Sequence, residues 1–491
     1  MQTIPLFGSG VNAYSAYISR QRRLNCFYEV RQDGDKAQLI IRGTPGMTSF
    51  LTLPDAPIRG WIVVANVLYV VAGLVLYSIL PNGTVTSLGS LDITSVGNVK
   101  LSDNGVQLLI VDGLFGYIYT IIAGTYAQAA LNAAGSFGKI TDLNFPSKTT
   151  SICFLDGRLI AVRPDSRQFY VSEFYDGTGW TNVHSLPTYG TKDNNSDLLV
   201  TVSAMNGVLM LAGNQSTEFW QNVGTSPLPF GRVAGATKNI GIAAQYSLAF
   251  INDVHLFVGQ SLYGGAVEID LVQGFNMQRI STDDIDNIIR TFSVWQDAVA
   301  FGYIIDGHKM YQITFPSAAR SFLYDITTQF WFELQSGVAL TGRHIANFGI
   351  TFNTFTFVCD ATSGIIYKFD PDVYTDNGVT IKRQVTSRHV NMNGNWFAID
   401  EVQLDMESGV GLQYGQGSNP MIMMQVSKDG GRTFGVERWR SMGKIGQYKS
   451  PRVKWDRLGA SQDFVFQWTM TEPVKFTIIG GVVNTRKQEG K

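Results

Sequence analysis

A short turn carrying Asn, Asp or Gly recurs along the chain, and each copy is followed by an apolar strand, a second turn and another strand that in most copies bears an aromatic residue. The turns begin at Asn66, Asn104, Asp156, Asn206, Asn252, Asp297 and Asn353, at intervals of 38, 52, 50, 46, 45 and 56 residues. The second strands fall at 74–77, 117–119, 169–171, 217–220, 266–269, 322–324 and 365–367. That period is the size of a four-stranded propeller blade, whose apolar flat faces are covered only by neighbouring blades, so one copy cannot stand alone. Seven units fit between Ile58 and Tyr374, and six remain open if one interval holds a long loop. Asn-Gly and Asp-Gly turns supply the positive φ that tight hairpins need, and Val, Ile, Tyr and Phe suit pleated, half-buried surfaces.

Composition agrees with an all-β chain. Of 491 residues only 16% are charged, while 51 are glycine and 12% aromatic, where about 25% charged is usual. With 45% apolar residues the chain can offset its conformational entropy, which excludes a disordered protein. Residues 61–80 carry no charge and have the length of a membrane span. They are rich in Val and interrupted by Asn66 and Gly73, so they read as a buried meander. One short helix is expected over 282–290, with Thr282 as cap, Ile285, Ile288 and Ile289 at helical spacing, and acids that cap and face solvent.

From Asn377 the rhythm changes to longer alternating strands, the pattern of an antiparallel sandwich. The expected layout is an N-terminal arm (1–50) that joins the first blade or closes the ring, a β-propeller of six or seven blades (51–376), a β-sandwich (377–484) and a mobile polar tail (485–491).

The residues announce no reaction centre. Cys26, Cys153 and Cys359 lie more than a hundred residues apart and His184, His255, His308, His344 and His389 are scattered, unlike the closely spaced ligands of zinc sites. No phosphate loop and no G-x-S-x-G elbow is present, and the first residues do not read as a secretory signal. Catalytic, metal and cofactor sites are therefore expected to be absent. Ser427, Asp429, Gly431, Thr433 and Phe434 fit an Asp-box, a turn in which Asp429 accepts local backbone N–H groups and Phe434 anchors the turn in the core. Asp-boxes occur in sialidase propellers, but this one is single and lies outside the repeats, and glycoside hydrolysis needs two placed carboxylates.

Charge is informative only when divided. The net charge is −1, which argues against a surface that grips nucleic acid throughout. Yet residues 428–457 hold nine basic and three acidic residues, leaving +6 there and −7 in the remainder. Lys428, Arg432, Arg438, Arg440, Lys444, Lys449, Arg452, Lys454 and Arg457 are interleaved with Trp439, Tyr448 and Trp455. A solvated strand face beside buried aromatics is the simplest account. The functional alternatives are a docking surface for an acidic protein, built from Arg438, Arg440, Lys444, Lys449, Arg452, Lys454 and Arg457, and contact with DNA phosphates. Arg20, Arg22 and Arg23 in the arm read as a solvated basic face.

Several segments, collinear over most of the chain, carry a resemblance: QRRLNCFY at 21–28, RGTPG at 42–46, LAGNQSTEFW at 211–220, KNIGI at 238–242, SLAF at 247–250, IDNIIR at 285–290, VSKDG at 426–430, RLG at 457–459 and PVK at 473–475. The chain resembles the packaged-DNA-stabilisation or tail accessory (nozzle, hub) proteins of short-tailed bacteriophages. That resemblance implies a non-enzymatic virion subunit, without cofactor or membrane span, that assembles in the host cytoplasm into the virion tail. It implies a homohexamer that continues the portal channel, with the portal or adaptor protein and needle, fibre or spike proteins as partners. Packaged double-stranded DNA would be retained and would pass through without sequence-specific contact. The motifs mark the fold and carry over no functional residue. The competing expectation is a carbohydrate-binding or glycan-cleaving propeller, such as a receptor-binding tail component.

Overall fold

In the computed structural model, residues 6–7, 15, 18–31, 39–182, 186–264, 267–337, 342–448 and 453–487 are described. Among them, seven antiparallel four-stranded units follow one another at 58–90, 100–139, 152–191, 199–232, 240–279, 299–334 and 348–370. Six take their four strands from consecutive sequence, the fifth with one additional short strand on its inner side. The seventh takes its fourth from the N-terminus: Gly46–Thr52 pairs antiparallel with Ile365–Asp370, Thr48 opposite Lys368. The arm thus closes the ring. The uncharged segment 61–80 forms strands of the first blade, and no described helix is long and apolar enough to cross a membrane.

Each blade buries its faces against the next, as the repeat requires. Val71 and Leu76 of the first blade share one cluster with Leu108, Ile110 and Tyr117 of the second; Ile160, Phe169, Leu209 and Trp220 pack between the third and fourth. The turns predicted to open the blades hold the expected geometry at Asn206 (φ 49°) and Asn252 (φ 49°). The sixth is a correction. Asp297 lies before the strand Val299–Ile305, where it accepts from the Ser317 N–H at 2.7 Å, and the blade's tight turn is Asp306-Gly307, φ 47° and 84°.

A 3-10 turn of the fifth blade, Gln245–Ser247, bridges the ring. Tyr246 Oη donates to the Asn98 carbonyl (3.2 Å), Gln245 Nε2 to the Thr150 carbonyl (2.6 Å), and Thr150 Oγ1 to Gln245 Oε1 (3.0 Å). Asn98 and Thr150 stand just ahead of the second and third blades, on the far side of a seven-membered ring.

The helix Asp283–Arg290 is present, with Thr282 Oγ1 accepting from the Ile285 N–H and Ile285 and Ile289 buried. Its acids are not all solvated: Asp286 is buried and paired with Arg279.

The sandwich has one sheet of Cys26–Val30, Leu39–Gly43, Thr477–Lys487, Phe397–Met406 and Val453–Ser461, in that order. The other runs Arg23–Leu24, Arg383–Thr386, Asp463–Met470, Met421–Ser427 and Arg438–Ser441, and it does not stop at the propeller. Leu24 pairs in parallel with Glu333 of the sixth blade, so blade and sandwich form one ten-stranded sheet. The strands Arg23–Leu24, Cys26–Val30 and Leu39–Gly43 of the expected arm therefore belong to the sandwich. The tail is also corrected: Thr485 and Arg486 pair with Ile399 and Ala398 inside a strand that runs to Lys487, while 488–491 lie outside the described residues.

Candidate docking surface

The basic stretch lies where the two sandwich sheets end. Arg438–Ser441 is the outer strand of the shared sheet and Val453–Ser461 the outer strand of the other. Outer strands leave backbone groups unpaired, a template for unwanted association unless covered. Here side chains cover them. Arg440 Nε donates to the Lys454 carbonyl (2.8 Å), Arg438 Nη1 to the Asp456 carbonyl (3.3 Å), and Trp455 Nε1 to the Arg438 carbonyl (2.9 Å). Lys454 Nζ pairs with Glu401 at 2.8 Å. Three of the seven predicted residues thus make bonds within the sandwich. Lys444 and Arg457 are exposed, and Lys449 and Arg452 lie outside the described residues.

The aromatic interleaving divides the same way. Trp455 is fully buried, whereas Tyr448 is 72% exposed and Trp439 47%. They are joined by Val436, Ile445 and Tyr414, all exposed, which the sequence reading missed. Tyr414 belongs to loop 409–417, which is bonded to loop 442–448: Gly409 N–H to the Met442 carbonyl and Gly446 N–H to the Gly409 carbonyl. The available signal was an apolar side chain stranded among Gly409, Gly411, Gly415 and Gly417, with no period that would bury it. Exposed apolar side chains beside Lys and Arg characterise protein-contact surfaces.

The Asp-box is a self-contained turn. Asp429 accepts from Ser427 Oγ, from the N–H groups of Arg432 and Thr433, and from Thr433 Oγ1. The Ser427 and Thr433 bonds hold its carboxyl well below the usual carboxylate range, so it stays ionised and is unsuited to proton transfer at neutral pH. Gly431 sits at φ 84°. Phe434 does not anchor the core as expected; it is half-buried in a cleft with Arg20, Arg22 and Arg320.

Nor are the arm arginines a solvated face. Arg23 is buried, its guanidinium 4.8 Å from the Tyr28 ring, and burial lowers its pKa. Arg22 pairs with Glu333 at 2.8 Å and Arg20 Nε donates to the Gly431 carbonyl at 3.0 Å. These side chains join arm, sixth blade and sandwich.

The cysteines and the Ser203–His255 pair, which could do chemistry, are enclosed. Burial pushes the thiols of Cys26, Cys153 and Cys359 up to about 12, which keeps them from acting as thiolates. Ser203 Oγ lies 2.6 Å from His255 Nε2, but His255 Nδ1 faces Met205 Sδ instead of an orienting carboxylate, and burial lowers this imidazole to about 4. A triad needs that third group. Among the described residues no set of three His, Cys, Asp or Glu side chains could hold a metal.

A family model described as bacteriophage P22 Gp10, beta-propeller, matches residues 2–374, and one described as bacteriophage P22 Gp10, beta-sandwich, matches residues 382–486. Both descriptions agree with the architecture expected and found. Among curated proteins none matches. Similar solved structures include virginiamycin B lyase from Staphylococcus aureus, at 11% identity over 65% of this chain and 97% of that one, TM-score 0.42. The Pan2 WD40 domain of Neurospora crassa is 9% identical over 66% and 94%, TM-score 0.39. Likeness this distant says nothing about activity.

Proposed function

Because this chain belongs to the family of bacteriophage P22 Gp10, we propose that it is a non-enzymatic structural subunit of a short-tailed phage tail. In this reading it forms part of a nozzle below the portal and adaptor, retains packaged DNA and lines part of the ejection channel. The observation that carries the reading is that the propeller and sandwich models match in order over residues 2–374 and 382–486.

A homohexamer is the proposed assembly: repeating one heterologous interface around an axis closes a ring, so a single pair of patches per subunit suffices. The outer strand Arg438–Ser441, with Lys444, Ile445 and Tyr448 beside it, supports docking onto an acidic face of the adaptor, and needle, fibre or spike proteins are the further partners. A body of net −7 outside the basic stretch suits a conduit in which DNA slides without sequence-specific contact. Particles lacking the protein are expected to fill their heads with DNA and then lose it. Heads that retain DNA as well as wild type would overturn the proposal.

A further inference from the structure

Three connections converge at one end of the sandwich. The link from Val390–Asn391 to Phe397–Met406 crosses from the shared sheet to the five-stranded one, the turn at 461–463 crosses back, and the Asp-box stands beside them. Pairing of Asn391 with Asp463 and of Phe397 with Ser461 fixes the two crossings side by side. Ser461 Oγ donates to the Lys428 carbonyl at 2.6 Å, which ties in the Asp-box. Together they enclose an open cavity of about 670 Å³, inside the roughly 300–1,000 Å³ range of small-ligand clefts.

The lining is specific in kind. Trp396 stands at its lip, 55% exposed. Asn391, Asn393 and Gln462 face the same space, and among the described residues no hydrogen bond engages their carboxamides. His389 Nδ1 lies 2.7 Å from Asp463 Oδ2; a carboxylate only accepts, so the imidazole donates and each fixes the other. Lys428 and Arg432 stand at the rim, and the Asp429 oxygens are already occupied by the turn. A carboxamide holds a donor and an acceptor side by side, the arrangement that meets two neighbouring hydroxyls. A flat indole covers the C–H face of a pyranose ring. The lining is mixed, with Ile18 and Trp396 set among carboxamides and charged groups instead of the continuous apolar wall an acyl chain needs, and the rim cations are offset by Asp429 and Asp463, which removes a strong demand for an anion.

We propose that this cup binds a saccharide, with one sugar ring stacked on Trp396 and its hydroxyls bonded by Asn391, Asn393 and Gln462. The site lies in the sandwich, uses none of the residues of the docking strand, and does not depend on the tail reading. The test applies the full chain to an array of hexose, N-acetylhexosamine and uronate oligosaccharides, then titrates the best-bound oligosaccharide into wild type and variants. W396A is expected to weaken binding about tenfold or more, N391A/Q462A several-fold, and W396F to retain most of it, all with unchanged melting temperature; Asn393 is left in place because its backbone is left-handed, φ 50°. A blank array overturns the proposal, as does wild-type affinity in W396A. Should W396A fail to fold, N391A/Q462A decides: wild-type affinity in that folded variant overturns the site.

Discussion

The guanidinium of Arg440 reaches from the outer strand of one sandwich sheet to the Lys454 carbonyl on the outer strand of the other, at 2.8 Å. With Arg438 and Trp455 it closes the flank that would otherwise expose two unpaired edges, and it does so inside the surface proposed for docking. Stability and assembly can be separated there. R440Q removes this bond and the one from Arg440 Nη1 to the Trp439 carbonyl (2.8 Å), and at about 0.5–1.5 kcal/mol for each it should lower the melting temperature. K444Q, at an exposed position without those bonds, should leave melting unchanged. In the triple variant R438Q/R440Q/K444Q, assembly onto the adaptor should weaken more at low salt than at high salt, since screening already diminishes the wild-type attraction at high salt. Assembly equal to that of wild type at both salts would return the stretch to a solvated face.

Asp270 makes stability depend on pH. Its carboxyl is buried on the fifth blade with no hydrogen-bond partner for either oxygen among the described residues. Burial first, then Glu268 and Asp286, push it up to about 8, against the pull of Arg279 opposite it. The folded value lies above the unfolded one of 3.8, so the folded state holds the proton more tightly and the chain loses stability as pH rises from about 4 to about 8. D270N removes this loss. Its melting temperature should gain on wild type steadily across that window; two parallel profiles would refute the assignment. Comparison with wild type cancels Asp376, which is raised to about 6 and acts in the same direction.

The N-terminal strand is expected to be indispensable. Met47, fully buried, lies opposite Phe369 in the strand that completes the seventh blade. Without Gly46–Thr52 the strand Ile365–Asp370 becomes an open edge. A chain substituted within that strand alone, M47D, which leaves the sandwich strands before it intact, should lose cooperative melting by circular dichroism and aggregate. A sharp transition at the wild-type temperature would show that the ring does not depend on this strand.

What could be read from the sequence was local. Asn206 and Asn252 mark turns because they tolerate a left-handed backbone that most residues avoid, so the period, the propeller and the change of rhythm at Asn377 were all legible. Asp297 misled because Asp306-Gly307, nine residues later, flanks the same apolar run. Ring closure was only partly legible: the pairing of Thr48 with Lys368 joins distant segments and leaves no periodic trace. The candidate docking surface was half-legible. Arg438 and Arg440 announced it by charge, but whether Trp439 or Trp455 faces the core depends on how two sheets stack, which alternation within one strand does not state. Buried Arg23 reads like any surface arginine until Tyr28 and the sandwich close over it.

The bridge from Gln245 and Tyr246 to Thr150 and Asn98 bears on where DNA can run. Three hydrogen bonds cross the propeller's ring, and burial pushes the Tyr246 hydroxyl up to about 12, so it remains a donor at any physiological pH. A ring spanned in this way is no conduit for a duplex, so in the proposed nozzle the DNA path runs along the axis shared by the subunits. Q245A/Y246F removes all three bonds, and at about 0.5–1.5 kcal/mol for each it should lower the melting temperature clearly. The rate of DNA release from particles carrying the double variant should stay at the wild-type value. A faster release in particles whose nozzle is otherwise intact would place the DNA path through the propeller itself.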